Sequence, residues 1–188
     1  MQNEKIETDY SKLPSLQKEK SEENAAFKFF LKRIPSKQID ELLIPISEEI
    51  TKQIDCTQCG NCCRHLEPGI TDEEAGKLAS LKGMSKEIFI RDFTGRESGS
   101  ETLFMNHLPC VFFDGKLCTI YDQRPASCID FPHLSKGNFK FRFDSIMANY
   151  AICPIVYNIV EKLKEQVQFP HAQNNKPAGH PPSAPADR

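Results

Sequence analysis

Four of the chain's eight cysteines fall within a run of eight residues: Cys56, Cys59, Cys62 and Cys63, spaced C-x2-C-x2-C-C. A thiolate is a soft ligand that selects zinc, copper(I) or iron–sulfur clusters, and a two-residue gap lets neighbouring cysteines turn toward one centre. Gly60, inside the run, can supply the positive φ that such a curl needs. Cys110, Cys118, Cys128 and Cys153 follow at spacings C-x7-C-x9-C-x24-C, which do not form a second zinc knuckle. The expectation is that they fold back, so that all eight cysteines ligate zinc or an iron–sulfur cluster in one or two centres. Buried thiolates must be neutralised by protons or metal, and Arg64 and Arg124 lie beside the ligand segments to offset the remaining charge.

The C-x2-C-x2-C part resembles the cluster run of bacterial ferredoxins, in which a distant Cys-Pro completes the set, and Cys153-Pro154 fits that part. Cys63 departs from it, because it follows Cys62 directly. Two adjacent Cα atoms lie about 3.8 Å apart and their side chains diverge, which implies either two neighbouring centres or one centre with Cys63 in reserve. Cys59→Ser is then expected to lower metal content and melt the domain, and Cys63→Ser to be milder. His65, His107 and His133 are the neutral alternatives, as ligands or as donors to ligands. His171 and His180 read as exposed imidazoles. No phosphate-binding loop, nucleophile elbow or dinucleotide fingerprint occurs.

Composition narrows the setting. The 24 basic and 26 acidic residues nearly balance, so no strong field points to nucleic acid or an anionic membrane. No run of about eighteen apolar residues suggests a membrane span, and the polar N-terminus lacks a signal-peptide centre. A cytoplasmic setting is expected, where thiols stay reduced and metal binding is favoured over four disulfides. The partner is therefore a metal ion or cluster, with room for a protein partner.

The elements that must position these cysteines follow from pattern. Residues 1–20 read as a disordered segment, and residues 169–188 as a disordered Pro-rich tail. Between them lies one domain, 21–168, with a helical cover over 21–54 and a cluster core over 55–168. The cover comprises a helix from Ser21 to about Arg33. A second carries Ile39, Leu42, Leu43, Ile46, Ile50 and Ile54 on one face and is kinked or split at Pro45. Thr71 and Glu74 form a capping box for a helix to about Leu81 with Ala75, Leu78, Ala79 and Leu81 inward, and Ser85 caps the next. Residues 103–120 are strand-like, and Asp114-Gly115 predicts a hairpin with Cys110 and Cys118 on paired strands. Pro125 opens a short helical turn leading to Cys128. Asn138–Asp144 alternate as a strand with Phe139, Phe141 and Phe143 on one face. Cys153-Pro154 opens the last helix, whose stripe runs from Ile155 to Val167. The fold class expected is α+β: a small, irregular, metal-organised domain of several helices with a short antiparallel hairpin or sheet.

The segments CTQCGNCCR, LPCVFF, LCTIYDQRPASC, FP and a late CP together resemble the YkgJ-type cysteine-cluster family, the zinc- or iron-chelating CxxCxxCC proteins, over residues 54–165. The resemblance implies a cytoplasmic bacterial metal chelator. Flagellin lysine methylases carry a similar cysteine domain in a longer chain, which adds an iron–sulfur-dependent methyl transfer from S-adenosylmethionine to lysine as a rival reading. A structural zinc module that docks a protein partner through its N-terminal helices is the third.

Overall fold

The computed structural model describes residues 6–96, 99 and 102–170. Asp9 accepts from Ser11 N and starts a single turn at Tyr10–Lys12 that runs into α1 (Leu13–Glu19). The expectation of disorder through residue 20 is corrected here. Leu13 is fully buried, and Glu7 exchanges two hydrogen bonds with the side chain of Asn158 (3.0 and 2.8 Å). One large apolar side chain and a paired backbone hold a segment whose average composition is polar. The expected C-terminal tail lies outside the described residues beyond Pro170, and Phe169 before it is buried against Phe27 and Phe30.

Helices α2 (Ser21–Leu31) and α3 (Ser36–Gln53) form the cover. Pro45 neither splits α3 nor ends it. The carbonyl it deprives of a partner belongs to exposed Glu41 and can be hydrated, while Ile39, Leu43, Ile46 and Ile50 bury the opposite face. Two one-turn helices carry the cysteine run, α4 (Cys56–Cys59) and α5 (Cys62–His65). Strand β1 (Gly69–Ile70) leads to α6 (Asp72–Leu81), whose capping box is complete: Thr71 Oγ1 accepts from Glu74 N, and Glu74 accepts from Thr71 N. Ala75, Leu78 and Ala79 face inward as expected, but Leu81 is exposed, since the helix ends there. Helix α7 (Lys86–Phe93), capped by Ser85, passes into β2 (Thr94–Arg96), and β3 (Leu103–Met105) lies between β1 and β2, antiparallel to both.

Three further α-helices follow among the described residues: α8 (Ala126–Asp130), α9 (Phe143–Met147) and α10 (Pro154–Gln166). The strand expected at Asn138–Asp144 is instead a 3-10 turn, Phe139–Phe141, followed by α9. Asp40 of α3 accepts from Asn138 N and Phe139 N (2.8 and 3.0 Å), so these backbone donors find a side chain rather than a strand partner. Phe139 and Phe143, four residues apart, are buried together, and Phe141 is 77% exposed. The alternation was compatible with either period; burial of a four-residue pair decided for the helix.

The architecture is α+β, with two apolar clusters. The larger gathers α2, α3, α9 and α10 around Phe27, Ile39, Tyr150 and Ile159; the smaller gathers β1, α6, α7 and β3 around Leu78, Phe89 and Met105. Cys153 belongs to the first and Cys110 packs against the second, and the cysteine run is hydrogen-bonded to Ile152 beside the first and to Cys110 beside the second. No helix of the described residues is long and apolar enough to cross a membrane.

One charged group sits inside the larger cluster. Lys164 is fully buried and its Nζ reaches Glu23 and Glu161, each at 2.7 Å; Lys20 Nζ pairs with the other oxygen of Glu161, and Tyr150 OH donates to Glu161 at 2.7 Å. Burial raises the Glu161 pKa, but Lys164, Lys20 and Tyr150 outweigh it and hold the carboxyl below its ordinary value. A folded pKa below the unfolded one contributes stability that is complete above the ordinary carboxylate range and fades as pH falls through the folded value. Urea midpoints should therefore drop as pH is lowered from about 5 toward 3, and Glu161→Gln should lose the part of that drop due to this carboxyl while being less stable at neutral pH. An unchanged pH profile in Glu161→Gln would remove this carboxyl from the account.

Candidate metal centre

The cysteine run is built from two short caps. Asp55 accepts from Thr57 N and Thr57 Oγ1 (2.9 and 2.6 Å) and starts α4. Gly60 ends it at φ +59°, the left-handed region, and a Cβ there would stand 2.6 Å from the Phe113 ring. The glycine thus serves both conformation and close approach. Gly60→Ala is expected to cost about 1–2 kcal/mol in backbone strain alone, and more through displacement of Phe113. Metal content per chain and melting temperature should both fall.

Three later segments are tied to this run. Cys110 N donates to Cys63 O at 2.7 Å, which fixes Cys110 beside the adjacent pair. The expected hairpin is short: one antiparallel bridge, Phe113 with Cys118, is flanked by Asp114 N to Leu117 O and Thr119 N to Phe112 O (3.1 and 2.9 Å), and the Asp114 carboxylate accepts from Lys116 N and Leu117 N (2.8 and 2.7 Å) in the turn of the loop. Cys118 is on the pairing and Cys110 lies outside it, which corrects the expectation of both on paired strands. Arg64 clasps that loop. Its guanidinium donates to Cys59 O (3.3 Å) and Gly115 O (2.8 Å) and lies 4.5 Å over the Phe113 ring. Cys128 sits on α8, which follows Pro125; Ala126 N donates to Glu74 Oε1 and Ser127 Oγ to Gly69 O (2.7 and 2.6 Å). Buried Asn61 donates to Ile152 O at 2.8 Å, which brings Cys153, the residue before α10, to the run. Neither the asparagine nor the second use of Glu74 could be read from the sequence, since each bond reaches a residue far along the chain.

Cys56, Cys62, Cys63, Cys110, Cys118 and Cys128 line one cavity of about 570 Å³. Cys59 and Cys153 are not among its walls, although both feel the charge of Cys62. All eight cysteines are free thiols. Among the described residues, no three Cys, His, Asp or Glu side chains form a ready metal-holding group; the thiols surround a space without closing on a point. Of the histidines, His133 lines the cavity, while His65 and His107 are exposed, the latter against Phe93.

The electrostatics suit a soft cation. Burial pushes up the thiols of Cys56, Cys59 and Cys110, and those of Cys128 and Cys153 to about 12. The hydrogen bond between Cys62 and Cys63 splits that pair: it lowers Cys62 to about 7 and raises Cys63. Arg124 adds a favourable charge toward Cys56 and Cys62. Thiols that are protonated when alone become ligands by releasing protons to solvent as the cation enters. The donor set, six thiols around one space with two more behind, fits zinc or an iron–sulfur core.

No curated protein and no solved structure matches the chain. The family model of CxxCxxCC, described as "Putative zinc- or iron-chelating domain", matches residues 55–154, which include all eight cysteines and more than half of the chain; the protein belongs to that family.

Proposed function

We propose that the protein chelates its metal as an iron–sulfur centre, with Cys56, Cys62, Cys63, Cys110, Cys118 and Cys128 nearest to it and Cys59 and Cys153 supporting or completing the set. The observation that carries this reading is the meeting of six thiols from three separated segments on one cavity. A single tetrahedral zinc takes four ligands and a single iron–sulfur cluster likewise takes four cysteines, so six thiols on one cavity fit a pair of centres or one centre with two thiols in reserve. The C-x2-C-x2-C spacing, shared with the cluster run of bacterial ferredoxins, favours iron–sulfur over zinc. The centre lies between the two apolar clusters and joins them, so metal retention and tertiary stability go together.

Purification without oxygen, followed by a visible spectrum and elemental analysis, tests the reading. Iron with labile sulfide and broad visible absorption is expected. A colourless protein with stoichiometric zinc would replace it with the structural zinc module. Transfer of tritiated methyl from S-adenosylmethionine to lysine of candidate proteins would support the methyltransferase rival, and its absence would count against that rival.

A further inference from the structure

The cavity has more room than metal chelation alone uses. Zinc draws its sulfurs to about 2.3 Å and needs little open space, whereas pockets of about 300–1,000 Å³ accept small organic ligands. The space here, about 570 Å³, lies in that range. Away from the cysteines its walls are largely apolar, with Met105, Phe112, Leu117 and Ile120 among them. Two residues of the lining carry a buried nitrogen with no hydrogen-bond partner among the described residues, Arg124 Nε and His133 Nδ1. Buried donors without partners are costly and call for an explanation.

Arg124 is also held in place. Its guanidinium carbon lies 3.6 Å from the centre of the Tyr121 ring, which fixes the plane of the fork, and its charge reaches Cys56 and Cys62. We infer that the cavity binds a small organic carboxylate with an apolar body, anchored by Arg124 beside the metal centre. The rigid fork of a guanidinium matches the two oxygens of a carboxylate. His133 offers a further donor in the tautomer protonated at Nδ1. The acidic side chains of Glu67 and Asp122, also in the lining, disfavour anions of higher charge, phosphate esters included. The apolar walls take the body of the ligand.

The inference rests on the metal-chelating reading for its location, and its test separates the two. The metal-loaded full chain is titrated calorimetrically with benzoate and hexanoate, and with benzamide and hexanamide as uncharged counterparts, at constant ionic strength. At least one acid should bind the wild type tenfold or more tightly than its amide. Arg124→Gln, compared per metal-loaded chain, should remove that preference. Equal binding of acid and amide, no binding of either acid, or a preference that survives Arg124→Gln each overturns the inference. If Arg124→Gln does not fold or does not load metal, the acid–amide comparison on the wild type decides alone. Metal content of the wild type is measured separately, so a loaded protein that ignores both acids defeats this inference and leaves the chelation reading standing.

Discussion

Cys62→Ser should empty the metal centre, lowering metal per chain about tenfold or more, while Cys59→Ser should retain most of it. Cys62 lines the cavity and lies near enough to Cys56, Cys59, Cys63, Cys110, Cys128 and Cys153 for its charge to act on each. Its thiol is also the one held lowest, at about 7, because Cys63 donates a hydrogen bond to it. A serine hydroxyl is a harder and much weaker ligand for zinc or iron–sulfur iron. The order differs from the one suggested by spacing, in which Cys59→Ser costs more than Cys63→Ser. Cys63 lines the cavity and Cys59 does not, since Cys59 ends α4 and its carbonyl is taken by Arg64. Cys63→Ser is accordingly expected to lose more metal than Cys59→Ser. Elemental analysis of the anaerobically purified variants checks the order, and a Cys59→Ser protein emptier than Cys62→Ser would reverse it.

Stripping the metal with a chelator under reducing conditions should lower the melting temperature by roughly 10 °C. A ligand held a thousandfold above its dissociation constant stabilises by about 4 kcal/mol, and a domain of this size shifts about 2–4 °C per kcal/mol. The loss should not be uniform. The larger cluster has its own buried helices and the Lys164 ion network, whereas the smaller rests on a three-stranded sheet of very short strands and two helices. Hydrogen exchange should therefore rise first around α8, the Phe113–Cys118 loop and the Ile70–Met105 sheet, with α3 and α10 still protected. Identical melting curves with and without chelator would show that the centre does not join the two clusters.

Where local chemistry is sufficient, the chain could be read directly. Thr71 and Glu74 close their capping box, Ser85 caps α7, Gly60 takes its positive φ, and the stripe from Ile155 to Leu163 is buried along one side of α10. Those features depend on residues within a turn or two of each other. The identity of the cysteines as a set, and with it the family, is likewise written in their type and spacing.

What tertiary structure decided are the choices in which two local readings were equally good. Phe139, Phe141 and Phe143 suit a strand, yet Asp40 from α3 takes the backbone donors and turns the segment into a helix. Asp114-Gly115 does turn the chain, with the Asp114 side chain bracing the turn, but the pairing stops at the Phe113–Cys118 bridge and the three-stranded sheet forms elsewhere. Leu13 gives a polar terminus a buried anchor that composition hides. The same holds at the site: which thiols share a cavity depends on hydrogen bonds between residues far apart in the chain, Cys110 to Cys63, Asn61 to Ile152 and Ala126 to Glu74. Spacing names the candidate cysteines, whereas only long-range packing decides which of them face one cavity.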